Sequence, residues 1–125
     1  MNYRTFIVLV VCLAAGSAYA GPEEAARDVI QRLLPQRATE FVVETIPAEL
    51  GKDVFEIESR GGKVVLRGNN GVAITSALNH YLKHSCQCDI SWCGDQLQLP
   101  AKLPVVTETF TRLRRWRPDM SAPRC

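Results

Sequence analysis

The sequence lacks the strong charge excess of nucleic-acid-binding chains and the low hydrophobicity of disordered ones. Its 125 residues include 15 Lys and Arg against 13 Asp and Glu, a formal net charge of +2, and 46% of the residues are hydrophobic. These values are typical of a globular protein. We therefore expect a folded chain and predict no nucleic-acid partner.

The chain also lacks the length for a large catalytic barrel. A (β/α)₈ barrel needs about 250 residues, whereas one hydrophobic core can be built from about 100. The 125 residues therefore predict one small domain. This length excludes barrel enzymes and chains of two independent domains.

No apolar run is long enough to span a membrane. The most apolar stretch, Thr5 to Ala15, has 11 residues, whereas a spanning helix needs about 20. It follows the basic residue Arg4 and precedes a small-residue pattern ending at Ala20, as in a secretory signal. We predict that residues 1–20 are a signal peptide cleaved after Ala20 and that the remaining chain has no membrane association. A membrane anchor is the alternative.

Secretion would place the cysteines in an oxidising compartment. Cys12 would leave with the signal, and an even number of cysteines is then typical of a disulfide framework. Four cysteines allow three pairings, and the sequence does not choose among them. The disulfide candidates are Cys86, Cys88, Cys93 and Cys125.

Hydrophobic periodicity predicts two helices and five strands. One helix begins at Pro22 and ends before Pro35, and another begins near Gly71 and ends at about His84. Strands are predicted at 41–46, 53–59, 63–67, 88–92 and 96–99. The α-β-β-β-α-β-β order is typical of an α+β domain: a small, mostly antiparallel sheet with two helices packed on one face.

The second and third strands are predicted to form a hairpin with a defined register. Residues 61–62 are a Gly-Gly pair, which suits a two-residue turn. This turn places Ile57 opposite Leu66 on one side and Glu56 opposite Arg67 on the other. We therefore expect one apolar and one charged sheet face.

The sequence shows no constellation of catalytic residues. It contains no G-x-S-x-G motif and no other nucleophile with a neighbouring base. Glu56 and Glu58 lie on one strand face, as a glycosidase carboxylate pair can. Because Arg67 is the cross-strand partner of Glu56, we favour a solvated strand face and predict no catalytic residue.

Two further patterns have a binding interpretation and a structural one. His80, His84, Cys86 and Cys88 can be drawn as a zinc site, but their spacing is not a common zinc pattern, and we predict no metal and no cofactor. The turn at 68–71 can present backbone N–H groups to an anion. We favour the structural interpretation, in which an asparagine of this turn caps the second helix.

The end of the chain differs from the rest in charge. We expect residues 107–125 to form a basic, disordered tail, because they combine clustered arginines with prolines and show no hydrophobic periodicity. A weak polyanion contact is the functional alternative. Its candidate residues are Arg112, Arg114, Arg115 and Arg117.

Lys63 to Val106 resembles the amino-terminal domain of the animal alpha-N-acetylglucosaminidases. These are lysosomal glycoside hydrolases that cleave terminal N-acetylglucosamine from heparan sulfate. The upstream helix and the first strand also fit, so the resemblance covers about residues 22–106, and we predict a domain of this kind over residues 21–106. Three clusters carry it: Arg67-Gly68 with Gly71-Val72-Ala73; Tyr81-Leu82 with Cys86 and Cys88; and Trp92 with Gln96-Leu97, Leu99-Pro100 and Leu103-Pro104.

The resemblance implies a structural role rather than an activity. In that family the small domain precedes and packs against a larger barrel that holds the catalytic acids, and this chain has no counterpart of those acids. From Thr107 onward it departs from the aromatic stretch with which the family begins the barrel. Cys93 is a second departure, because a small polar residue is expected there. The resemblance thus predicts a noncatalytic domain whose partner is a barrel absent from this chain.

A different class of function is the alternative. A secreted, disulfide-stabilised binding module or inhibitor would also explain a signal and paired cysteines, although no Gln-x-Val-x-Gly inhibitory loop is present. The family is lysosomal and is commonly delivered through N-linked glycans. Because the sequence has no Asn-x-Ser/Thr acceptor, we expect secretion or retention in the endoplasmic reticulum.

Overall fold

A computed structural model describes residues 20–91, 93–107 and 109–114. The predicted signal up to residue 19 and Cys125 lie outside these residues, as do Arg115 and Arg117. The signal peptide, a disulfide at Cys125 and a polyanion contact through Arg115 and Arg117 therefore stay predictions.

Two helices and six strands make up the described part of the chain. The first helix, α1, is followed by a short 3₁₀ helix, and α2 lies between the third and fourth strands. The bounds are α1 Pro22–Leu33, the 3₁₀ helix Ala38–Glu40, β1 Phe41–Thr45, β2 Asp53–Arg60, β3 Lys63–Gly68, α2 Gly71–His84, β4 Asp89–Ser91, β5 Gly94–Gln96 and β6 Phe110–Arg114.

Four strands form the main sheet, in the order β1-β3-β2-β6. β2 pairs antiparallel with both β3 and β6, whereas β1 is parallel to β3. The short strands β4 and β5 form a separate antiparallel pair. Helix α2 packs on β2 and β3, and α1 packs on β1 and α2. The predicted α+β class, with a mostly antiparallel sheet and two helices, is confirmed.

The hydrophobic core lies between the helices and the inner sheet face. Alternate residues of the strands enter it, among them Ile57 and Leu66, which are register partners as predicted. Burying a side chain of this size contributes about 1.5–3 kcal/mol. Five residues in this core have no exposed surface: Leu66, Ile74, Ala77, Tyr81 and Leu82.

The Asn70-Gly71 pair of the sequence lies at the start of α2. Asn70 is the N-cap residue, and its side chain accepts a hydrogen bond from Ala73 N at 2.8 Å. The predicted asparagine cap is confirmed. Gly68 lies directly beneath this first turn, where a Cβ atom would come within 2.7 Å of Ile74 N. Only glycine permits so close an approach of β3 to α2.

Three features differ from the sequence predictions. Residues 110–114, within the tail predicted to be disordered, form strand β6. The prediction is wrong for these residues, because their pairing with β2 satisfies the backbone groups of both strands. The parallel pairing of β1 was not foreseen, because it joins strands distant in sequence. The second hairpin turns earlier than expected, with Gly94 at φ 147° opening β5.

Candidate functional site

Residues 100–106, here called the strap, cross the end of the domain after the β4–β5 hairpin. Three side chains from separate parts of the fold bind its backbone. Arg37 donates to Pro100 O at 3.1 Å, and the Tyr81 hydroxyl donates to Pro104 O at 2.7 Å. Val106 N donates to Ser59 Oγ at 2.8 Å. The path of the strap is therefore fixed at both ends.

Arg37 is itself held in place by a carboxylate. Its Nη2 donates to Glu40 Oε2 at 2.9 Å, and its Nε donates to the other oxygen of the same carboxylate. This two-pronged pair holds the pKa of Glu40 below its usual range. Because the guanidinium is planar, fixing one side of it aims the other side at the strap carbonyls.

Tyr81 is the buried member of the strap contacts. Its ring is fully enclosed and meets Phe41 edge to face, with 6.1 Å between ring centroids. Burial raises the pKa of Tyr81 far above its usual value. The hydroxyl therefore stays protonated and keeps donating to Pro104 O across the physiological pH range.

Two predicted disulfide candidates lie beside this tyrosine. Cys86 and Cys88 are both buried and are free thiols in this structure. Burial raises the pKa of the Cys86 thiol, which lowers its reactivity as a nucleophile. Cys93 is exposed in the turn between β4 and β5. Because Cys125 is not described, the disulfide framework stays a prediction.

The two histidines of the hypothetical zinc site lie on α2. The rings of His80 and His84 are 4.3 Å apart between centroids, and His80 is also 6.0 Å from the Phe55 ring. Across residues 20–91, 93–107 and 109–114, no three His, Cys, Asp or Glu side chains are arranged to hold a metal ion.

The face of the sheet opposite the helices carries a network of charges, here called the polar face. Its centre is Arg67, which is 17% exposed and reaches three carboxylates. Nε is 2.6 Å from Glu44 and Nη2 is 2.7 Å from Glu58, while Nη1 is 3.6 Å from Glu56. Arg60 binds Glu44 from the other side at 2.5 Å.

This network bears on Glu56 and Glu58, which the sequence allows as either a glycosidase-like carboxylate pair or part of a charged strand face. Glu56 and Glu58 both lie against the Arg67 guanidinium, so each carboxylate already has a cationic partner. The predicted pairing of Glu56 with Arg67 is confirmed. The two acids are thus bound by the sheet and do not flank an open cleft.

A groove of about 350 Å³ lies between the strap and the β2–β3 turn. Its wall contains one carboxylate, Glu40, which is bound to Arg37. A glycosidase needs two carboxyl groups across the scissile bond. The groove therefore does not provide that arrangement.

Neither helix in the described residues is long and apolar enough to cross a lipid bilayer.

This small α+β domain matches a known domain family and part of longer proteins. The alpha-N-acetylglucosaminidase (NAGLU) N-terminal domain family matches residues 24–105. Human alpha-N-acetylglucosaminidase is 37% identical over an alignment of 111 residues, and the match covers 83% of this chain and 15% of the human protein. The chain belongs to the alpha-N-acetylglucosaminidase N-terminal domain family.

Solved structures show the same fold. A family 89 glycoside hydrolase from Clostridium perfringens, in complex with 2-acetamido-1,2-dideoxynojirmycin, superposes with a TM-score of 0.67 at 29% identity. The same enzyme in complex with its substrate GlcNAc-alpha-1,4-galactose gives the same values. The match covers 90% of this chain but 13% of the bacterial chain. This chain thus spans a small fraction of its relatives.

Removing the Tyr81 hydroxyl should loosen the strap. We expect Tyr81→Phe to lower the free energy of unfolding by about 1 kcal/mol, because Pro104 O loses its donor. Urea denaturation measures the change. Ser91→Ala is the control. It removes an exposed hydroxyl whose two bonds, to Gly94 O and from Cys93 N, lie in the solvent-exposed β4–β5 turn, and it should change stability by less than about 0.5 kcal/mol. Equal stability of Tyr81→Phe and the parent chain would contradict the strap contact.

The polar face should make the free energy of unfolding fall at acid pH. Hydrogen bonds from Arg67 and then Arg60 hold the pKa of Glu44 below its usual range. A carboxylate with a lowered folded-state pKa stabilises above its unfolded pKa, and this stabilisation is lost as pH falls through the folded value. We therefore expect stability to decline from about pH 5 downward.

Arg67→Met tests this origin. The variant should lose about 1–2 kcal/mol at neutral pH and show a shallower decline in acid, as measured by urea denaturation over a pH series. Lys63→Met is the control. Lys63 lies on the same strand and is exposed, and its substitution removes the same charge. An unchanged acid slope in Arg67→Met would show that the network does not stabilise the fold.

Proposed function

We propose that this chain is a noncatalytic domain whose role is structural: it packs against the catalytic barrel of longer family members. The main support is its extent, since it spans 15% of human alpha-N-acetylglucosaminidase and 13% of the bacterial glycoside hydrolase. The charged residues of the domain agree with this role. Glu56 and Glu58 are bound to Arg67, and Glu40 is bound to Arg37.

The strap supports the same proposal. The family match ends at residue 105, within the strap. Side chains from three parts of the fold hold its backbone there, and Val105 is 66% exposed. A chain that leaves one domain along a fixed path can position the next domain. In a longer family member, that next domain would be the barrel that hydrolyses N-acetylglucosamine from heparan sulfate.

The alternative of a secreted inhibitor or binding module is not supported. The family match and the solved relatives concern the amino-terminal part of glycoside hydrolases. A weak polyanion contact through the arginines near the end of the chain stays a proposal. Arg112 and Arg114 lie in β6, at the edge of the sheet.

An activity assay tests the noncatalytic role. The purified chain should release no product from a chromogenic N-acetylglucosaminide above the buffer blank, because Glu40 is the one carboxylate that lines the groove beside the strap, and it is bound to Arg37. Human alpha-N-acetylglucosaminidase, assayed at the same molar concentration, is the positive control. Turnover that persists in independently purified samples would contradict the proposal.

We also propose that the chain enters the secretory pathway, where it is secreted or retained in the endoplasmic reticulum. The predicted cleavage after Ala20 would leave Gly21 directly before helix α1, so the folded domain would start at the new terminus. Mass spectrometry of the chain expressed in animal cells should find Gly21 as the first residue. An intact Met1 terminus on cytosolic protein would contradict this location.

A further inference from the structure

The main sheet ends at two edge strands, β1 and β6. Along β1, two side chains of helix α1 bind backbone groups of the edge. Open strand edges are sites where another chain can add a strand, and natural proteins protect them.

The covering groups are Glu23 and Arg27, here called the edge guard. Thr45 N donates to Glu23 Oε1 at 3.0 Å, and Arg27 Nη2 donates to Val43 O at 3.3 Å. The two side chains also bind each other at 3.1 Å. They lie one helical turn apart, so both reach the strand from the same side of α1.

The backbone groups they bind are those that face away from the sheet. Ile46 N donates to Gly68 O on the β3 side. Because successive residues of a strand point their backbone groups to opposite sides, Val43 and Thr45 present theirs outward. The edge guard therefore occupies one acceptor and one donor that a further strand would need.

Strand β1 of a second copy fits this edge. An antiparallel pair centred on Val43 places Phe41 opposite Thr45 and Val42 opposite Glu44. No like charges then face each other, and each copy offers the same outward donor and acceptor. Such a contact is two-fold symmetric and self-complementary, as in most dimers.

We propose that Glu23 and Arg27 prevent this chain from dimerising through strand β1. While the edge guard is in place, Val43 O and Thr45 N are already bonded. When the edge guard is removed, the same groups become available to β1 of another copy, and strand addition joins the two sheets. The edge guard thus sets the oligomeric state rather than the fold.

The test compares three purified variants of the full chain with the parent by light scattering under reducing conditions, which excludes cysteine-linked dimers. Glu23→Ala with Arg27→Ala removes the edge guard and should double the measured mass at high protein concentration. Glu24→Ala with Arg32→Ala is the matched control, because it removes one acid and one base from exposed positions of the same helix. This control should keep the mass of the parent.

The third variant identifies the surface. Thr45→Pro, added to the variant without the edge guard, removes an outward N–H while leaving the pairing with β3, and should restore the parent mass. If the variant without the edge guard keeps the parent mass, or if its dimer survives Thr45→Pro, the proposal is wrong. Circular dichroism checks that each variant is folded. Glu23→Gln with Arg27→Gln replaces the alanine pair if that pair unfolds.

Discussion

The apolar stripe of α2 packs against the inner faces of β2 and β3, and the rest of the domain depends on this contact. Ile74, Tyr81 and Leu82 have no exposed surface. The contact is possible only because Gly68 lets the end of β3 pass beneath the first turn of α2. Once α2 is fixed there, it supplies the surface on which α1 packs and the tyrosine that binds the strap.

The two faces of the sheet have different consequences. The inner face is apolar and holds the fold together through burial. The polar face holds its carboxylates around Arg67, so these acids form ion pairs between neighbouring strands. The same network links β1, β3 and β2 across the sheet, since Glu44, Arg67 and Glu58 belong to successive strands in space.

Local patterns were predictable from the sequence, whereas distant partners were not. The Gly61-Gly62 turn and the alternation around it define the hairpin register, and the Asn-Gly turn defines the start of α2. The parallel pairing of β1 and the bond from Tyr81 to Pro104 join segments that no local pattern connects. Strand β6 was missed because its basic composition resembles that of a disordered tail.

Three side chains bind the main chain of the strap, and the buried side chain of Leu103 anchors it in the core. These contacts have a consequence for how the domain can vary among relatives. Arg37 and Tyr81 contact carbonyl oxygens, which every residue supplies, and Ser59 contacts an amide N–H, which every residue except proline supplies. Ala101, Lys102 and Val105 are exposed. Substitutions at these three positions can therefore accumulate without changing the path of the chain. Relatives can differ in the sequence of the strap and still keep the direction in which the domain continues into the next one.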